Sequence, residues 1–361
     1  MPDTELDHVA LQVTEAGAAP RASVAAGQRI DGTWRLGLGH APRFGAEPVF
    51  DLASVTKPFV AVSAARLAER GVLTLESQLG EVLPAAVGTA SEAVPLILFL
   101  AHRAGLDAHR SLFAPLLRAM PFSRDHALRE AAEARRADAL GPLPAWGFAP
   151  LYSDLGYVLV GAALESVTGL PLADVVEQEV CAPLGLDARA ARSWLERDPG
   201  FLERVAPTET VAFRGGVVHG AVHDENAWAL AGHGLAGQAG LFGTAGSVAR
   251  FGMAVLDAAA GRGSWLSAGA LASLLEVRPG GSLRAGFDGK SGPASAAGSR
   301  AGPETYGHLG FTGTSLWCDP LSERVSVLLT NRVCPTRDNV RIRALRPTVH
   351  DALFAWQPQN G

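Results

Sequence analysis

The sequence predicts an α/β fold of the α+β kind. One antiparallel sheet is assembled from both ends of the chain and flanked by helices, and a mainly helical lobe is inserted between. Three observations carry this. Strand-like runs occur in the first fifty residues. Two further strands, at 314–318 and 324–330, flank the turn-rich link Asp319-Pro-Leu-Ser-Glu323. The stretch between is dominated by helical patterns and long loops. The implied organisation is a discontinuous sheet-bearing domain, 1–71 and 241–361, and a helical domain, 72–240. A chain of 361 residues, 48% hydrophobic and 19% charged, is globular. At this length it buries roughly three quarters of its unfolded surface.

In chain order, strands are expected at 22–26 and 34–38, separated by Asp31-Gly32 turn chemistry. Residues 50–53 approach a helix running from Ser54 to about Arg70 and stopping at Gly71. The first half of that helix, Pro58-Phe-Val-Ala-Val-Ser-Ala-Ala65, is apolar nearly all round, which predicts burial between other elements. Further helices are expected at 96–102, 127–140, 156–167 and 172–180. Helices at 247–260 and 267–276 lead to a Gly/Ser/Ala/Pro-rich loop, 280–303. A helix at about 341–356 closes the chain. With 41 glycines and 23 prolines, many turns and irregular loops are expected.

Charge and composition exclude several function classes. A net charge of -5, from 31 basic and 36 acidic residues, gives no footprint for nucleic acid. No run of Lys or Arg suggests a membrane-surface patch. The longest apolar stretch, 93–101, falls far short of the ~20 residues a span requires. The segment Met1 to His8 is acidic and polar, unlike a secretory signal, so the cytoplasm is the expected compartment. Cys181, Cys318 and Cys334 cannot all pair with one another and form no CxxC, so they are expected reduced and mostly buried.

Chemistry concentrates at Ser54-Val-Thr-Lys57. Residues three apart on a helix share a face, so Ser54 and Lys57 point into the same space. A serine hydroxyl is a poor nucleophile until a base removes its proton, and a desolvated lysine can serve. Ser54 at a helix N-terminus also offers a backbone N–H to a developing oxyanion.

The segment Phe50-Asp-Leu-Ala-Ser-Val-Thr-Lys-Pro-Phe59 resembles the nucleophile region of the serine β-lactamase and penicillin-binding-protein superfamily, in its class-C-like branch. Other segments resemble that family in order: Leu100-Ala-His-Arg-Ala-Gly-Leu106, then Leu151-Tyr-Ser-Asp-Leu-Gly156 running to Gly169, then Ala182-Pro-Leu-Gly-Leu186. Val222-His-Asp-Glu-Asn-Ala227, Ala239-Gly-Leu-Phe-Gly-Thr-Ala245 and Tyr306-Gly-His-Leu-Gly-Phe-Thr-Gly-Thr-Ser315 complete the series. The resemblance implies a β-lactamase/DD-peptidase-like fold with the site between its two parts. It implies that Ser54 is acylated, that Lys57 activates it, and that Tyr152 is the second proton-transfer group with a pKa lowered by the ammonium. Asp154 takes the place usually held by Asn, and His308 the place of Lys or His in the third motif, beside Gly310. The N–H groups of Ser54 and Phe311 would form the oxyanion hole, and Tyr306 would line the site. No cofactor and no metal are implied.

Two departures bear on substrate. Asp154 adds a charge that would raise the Lys57 pKa and leave Tyr152 as the proton acceptor. Leu309 removes a hydroxyl that would hold a substrate carboxylate, unless Thr312 compensates. Small esters or amides, including D-amino-acid amides or peptides, are therefore the expected substrates, with weak or no β-lactam turnover. The alternative is a non-catalytic member that binds a ligand or assembles with partners. His219, His223, Asp224 and His233 are the rival, metal-like signal, but Gly215, Gly216 and Gly220 argue against a helix there. Tyr157, His102, His109 and His126 are expected to be structural or solvated.

Overall fold

The computed structural model describes residues 4–43 and 45–358. Residues 1–3, part of the segment behind the compartment expectation, lie outside them. Six strands form the main sheet: β1 (Ala22–Ile30), β2 (Thr33–Ala41), β3 (Asp288–Gly289), β4 (Tyr306–Leu309), β5 (Ser315–Asp319) and β6 (Arg324–Thr330). Their order is β2-β1-β6-β5-β4-β3, and every pairing is antiparallel. The first and last segments of the chain thus meet at the β1–β6 seam, with Ala25 opposite Val327. Helix covers both faces of β1, so its residues from Ala22 to Ala26 are small and buried throughout. Such strands lose the inside-outside alternation of a half-exposed sheet.

One correction concerns the N-terminus. The first fifty residues read as strands, yet Thr4–Glu15 is a helix, α1. Leu6, Val9, Ala10 and Val13 recur at helical spacing and pack on the sheet face shared by Val24, Ala26 and Leu328. The last helix, α5 (Ile342–Ala355), covers the same face through Ile342, Val349 and Leu353. The opposite face receives α4 (Ala245–Ala259).

The expected helix from Ser54 begins instead as a 3-10 turn, Ala53–Val55, and becomes α2 at Thr56–Glu69. Residues from Thr56 to Ala65 are all buried, as the apolar run requires. Phe59 of α2 stacks on Phe251 of α4 at 3.9 Å, which ties the helix that follows Ser54 to the layer behind the sheet. Each such fully buried side chain contributes roughly 1.5–3 kcal/mol. The helix expected at 127–140 is displaced to Arg124–Glu133, and the chain beyond it is loop that bridges Leu106 to Arg135. The segment at 172–180 is a short helix, Leu172–Val176, continued by a π turn, Glu177–Cys181. Cys181 and Cys318 are buried, Cys334 is partly exposed, and all are free thiols. Among the described residues no single helix is long and apolar enough to cross a membrane.

Helix α3 (Asp154–Thr168) is buried from Leu155 to Leu164. It lies so close to the Gly237-Gln238 segment that a Cβ on Gly237 would sit 1.7 Å from the Tyr157 carbonyl oxygen. Gly237→Ala must push α3 away from that segment. It is expected to cost about 1–3 kcal/mol in urea unfolding, the usual range for overpacking against backbone; an unchanged midpoint would refute the contact.

Candidate active site

The chain reaches Ser54 through a strained bend. Ala53 has φ +48°, a left-handed conformation uncommon for a residue with a side chain. The bend is pinned by Asp51, whose Oδ1 accepts from the Ala53 N–H at 2.8 Å and Oδ2 from the His223 N–H at 2.7 Å. Ser54 is half-buried at the floor of a cavity of about 590 Å³. Ala108, His109, Tyr152, Asp154, Asp288, His308, Leu309, Phe311 and Arg343 are among the residues around it.

Lys57, one turn on, is completely buried. Its Nζ donates to Ser54 Oγ at 2.9 Å, to Asp154 Oδ1 at 2.7 Å and to the Gln238 carbonyl oxygen at 3.2 Å. An ammonium has three protons, and all three are placed. Burial alone would lower the Lys57 pKa, but the Asp154 carboxylate and Tyr152 outweigh it and hold the group well above its ordinary value. Asp154 opens α3, and burial would raise its pKa. The Lys57 charge and His109 reverse this and hold it well below the usual carboxylate range. The half-exposed His109 has Nδ1 3.9 Å from Asp154 Oδ2 and a raised pKa, chiefly from its interaction with that carboxylate.

Tyr152 requires a correction. Its pKa was expected to fall beside the ammonium. Burial dominates instead and, with Asp154, outweighs the lowering by Lys57, so the phenol is pushed up and stays protonated at neutral pH. Lys57 Nζ lies 5.0 Å from the Tyr152 ring centroid, and the phenol interacts with both Lys57 and Ser54. The ring stacks on His102 at 4.6 Å and tilts towards His308 at 5.9 Å.

Both of those histidines are buried and neutral, with pKa values lowered to about 3 by burial and by the Lys57 charge. The His308 Nδ1 contacts the Leu309 carbonyl oxygen at 2.7 Å, which can only accept, so Nδ1 carries the proton and Nε2 is bare. His102 has the opposite tautomer, since its Nδ1 accepts the Ser153 N–H at 3.0 Å.

The backbone N–H groups of Ser54 and of Phe311 have no acceptor among the described residues. Both residues line the cavity. Threonine hydroxyls clip their segments together: Thr312 Oγ1 donates to the Asp51 carbonyl and Thr314 Oγ1 to the Leu52 carbonyl, each at 2.8 Å. A Cβ on Gly310 would lie 1.9 Å from Thr314 Oγ1 and 2.7 Å from the Leu52 carbonyl oxygen, so only glycine permits this approach. Thr312 is therefore buried and already engaged, and it does not replace the hydroxyl missing at Leu309.

Tyr306 also differs from expectation. It shares a strand face with His308 but is buried edge-on against Phe287, 5.5 Å away, and is not among the cavity's lining residues. Tyr157 is core, as expected, with its hydroxyl on the Leu100 carbonyl at 2.8 Å. His223 bonds Glu209 at 2.8 Å and stacks on Phe311, while His219 meets the Val205 carbonyl at 3.2 Å. Among the described residues no group of three or more His, Cys, Asp or Glu is arranged to hold a metal. Sequence reasoning missed Gln238, which acts through its carbonyl and so leaves no side-chain signal, and set His109 aside as solvated.

The chain has known relatives. A family model described as Beta-lactamase matches residues 7–349. A curated protein of Escherichia coli O157:H7, "Putative D-alanyl-D-alanine carboxypeptidase", is 32% identical over 198 residues, 50% of this chain and 45% of that protein. The match thus spans about half the length of that relative. A beta-lactamase from Mycobacterium bovis is 23% identical with a TM-score of 0.59, over 96% of this chain and 98% of its own. EstCE1, "a hydrolase with promiscuous acyltransferase activity", is 20% identical with a TM-score of 0.71, over 97% and 98%. At these identities the solved structures are likenesses of fold.

The Lys57–Asp154 pair yields a titration prediction. The raised lysine and the depressed carboxylate keep both charged from about pH 4 to pH 10. The chain has only two lysines, Lys57 and Lys290, so NMR of the side-chain methylene carbons resolves them. Lys57 is expected not to titrate below pH 10. In Asp154→Asn, burial meets less opposition and the midpoint is expected to drop below the ordinary ~10.4. An unshifted midpoint would mean that the carboxylate does not hold the proton on Lys57.

Proposed function

Because the chain belongs to the Beta-lactamase family, we propose that it is a serine hydrolase that forms an acyl-enzyme on Ser54 and cleaves small esters or amides. The observation that carries this reading is the 2.9 Å contact of Lys57 Nζ with Ser54 Oγ, beside the unpartnered N–H groups of two residues that line one cavity.

The protonation states select the route. Lys57 is an ammonium and Tyr152 a neutral phenol, so neither is a free base at rest. In our proposal Tyr152 works as a relay. Ser54 Oγ bonds to the substrate carbonyl carbon while its proton passes to the Tyr152 oxygen and, in the same step, the phenolic proton moves onto the leaving oxygen or nitrogen, so that Tyr152 is a neutral phenol before and after. The carbonyl electron pair moves onto oxygen, which rests between the Ser54 and Phe311 N–H groups. As the intermediate collapses, the carbonyl re-forms and the bond to the protonated leaving group breaks, releasing the alcohol or amine. Lys57 steadies the negative charge that Tyr152 and Ser54 share along the way. Water then attacks the acyl carbon, and its proton returns through Tyr152 to Ser54 Oγ.

The apolar part of the walls supports this substrate class. Leu309 offers no hydroxyl, Thr312 is engaged, and Leu283, Leu309 and Phe311 are apolar. Small esters and amides suit this better than penicillin-like lactams. The name of the Escherichia coli relative adds D-amino-acid amides or peptides as candidates.

A fluorophosphonate probe is expected to label the native protein and to leave Ser54→Ala unlabelled. Tyr152→Phe is expected to slow turnover of p-nitrophenyl esters by about 100- to 10,000-fold, the span typical of a lost acid–base group. Equal labelling of native protein and Ser54→Ala would remove the nucleophile. Ligand binding with no Ser54-dependent turnover of esters, nitrocefin or D-amino-acid anilides would favour a non-catalytic binding protein.

A further inference from the structure

The peptide that presents the Phe311 N–H is gripped by a buried arginine far away in sequence. Arg346 lies on α5, only 8% exposed. Its Nη2 donates to the Gly310 carbonyl oxygen at 2.9 Å and to the Thr314 carbonyl oxygen at 3.1 Å. The Gly310 carbonyl and the Phe311 N–H belong to one planar unit and point in opposite directions when trans. Fixing the first therefore aims the second. A charged donor on the carbonyl also draws electron density from the amide nitrogen and makes its N–H a stronger donor. Arg332 holds the next peptide, with Nε donating to the Phe311 carbonyl oxygen at 2.7 Å. Arg332 is itself braced on the carbonyls of Arg337 and Asn339, at 2.8 and 2.9 Å.

Stability does not account for this placement. Among the described residues Arg346 has no carboxylate in a salt bridge, and its buried Nε has no hydrogen-bond partner. Burial, with repulsion from Arg332 and Arg343, lowers its pKa to about 10, so it remains charged at neutral pH. A buried, unpaired and incompletely bonded guanidinium is costly, and an apolar residue on α5 would avoid the cost. Its two bonds fall on the carbonyls that bracket the Phe311 turn.

We infer that Arg346 is a positioning residue for acyl transfer, which aims and polarises the Gly310–Phe311 peptide so that its N–H meets the oxyanion. The inference rests on the acyl-enzyme reading above. It requires that Arg346 act on the tetrahedral state and not on substrate binding, although its side chain borders the cavity.

The test compares native protein, Arg346→Met and Arg346→Lys in steady-state hydrolysis of a p-nitrophenyl ester. Inhibition by an aryl boronic acid, which forms a tetrahedral adduct with an active-site serine, is measured in parallel. Arg346→Met is expected to lower kcat about 10- to 100-fold, less than the ~100- to 1000-fold of deleting an oxyanion donor. KM should change less than about twofold, and boronate inhibition should weaken by the same factor as kcat. Arg346→Lys should recover most of both, because it restores a cationic donor. Full kcat in Arg346→Met overturns the inference. So does a lower kcat with unweakened boronate inhibition, or a raised KM with kcat intact, which would make Arg346 a substrate contact. If Arg346→Met does not fold, Arg346→Gln takes its place, and unweakened boronate inhibition there has the same force. Native protein without Ser54-dependent turnover overturns the acyl-enzyme reading itself, and this inference with it.

Discussion

A fully buried ammonium organises the site. Lys57 has no contact with solvent, so each of its protons needs an acceptor or the group loses its charge. The three acceptors come from three places in the chain: Ser54 on the turn before α2, Asp154 at the start of α3, and the Gln238 carbonyl on the segment that α3 presses against. Each must be within hydrogen-bonding distance at once, which fixes how α2, α3 and that segment sit together. The close approach at Gly237 and the buried faces of both helices serve this requirement as much as they serve packing.

A second constraint locks the opposite wall. The turn between β4 and β5 is tied to the Asp51–Leu52 backbone by two threonine hydroxyls, and Gly310 permits the contact. The segment that carries Ser54 and the segment that carries the Phe311 N–H are therefore tied into one unit. Arg346 and Arg332 brace that unit with bonds to its carbonyls. An oxyanion site gains from this stiffness, because donors held in place beforehand need no reorganisation when charge develops.

Legibility from sequence followed the range of each interaction. The three-residue spacing of Ser54 and Lys57 is local, so helical geometry alone brought them to one face, even though the helix proper starts two residues later than expected. The β6 strand was read to its exact ends because the β-branched and apolar run 324–330 is bounded by turn residues. The N-terminal helix was missed because attention to strand-like runs passed over the spacing of Leu6, Val9, Ala10 and Val13. Longer-range effects were harder. The lower Tyr152 pKa followed from one neighbour, whereas burial decides the actual direction. Tyr306 obeys strand alternation with His308, but Phe287 covers it, and no pattern within β4 announces Phe287. The role of Gln238 lies in a backbone atom and is invisible in residue identity.

The carboxylate at position 154 reaches furthest into the chemistry. A neutral partner would leave the buried Lys57 near the point where it can give up its proton, because desolvation is the largest influence on it. Asp154 removes that option by stabilising the charged form, and burial together with the Lys57 charge keeps His102 and His308 neutral. Lys57 and Ser54 are then surrounded by one carboxylate, a phenol and two neutral imidazoles, and the lowered pKa of both imidazoles makes them poor proton acceptors. Net removal of a proton from Ser54 would leave an extra negative charge in a buried site, which the single ammonium must already share with Asp154. Passing the proton along, from alcohol to phenol to departing group, creates no such excess at any stage. In the proposed relay a good proton acceptor on the substrate is therefore as much a part of the machinery as any side chain, which would tie the choice of leaving group to the charge at position 154.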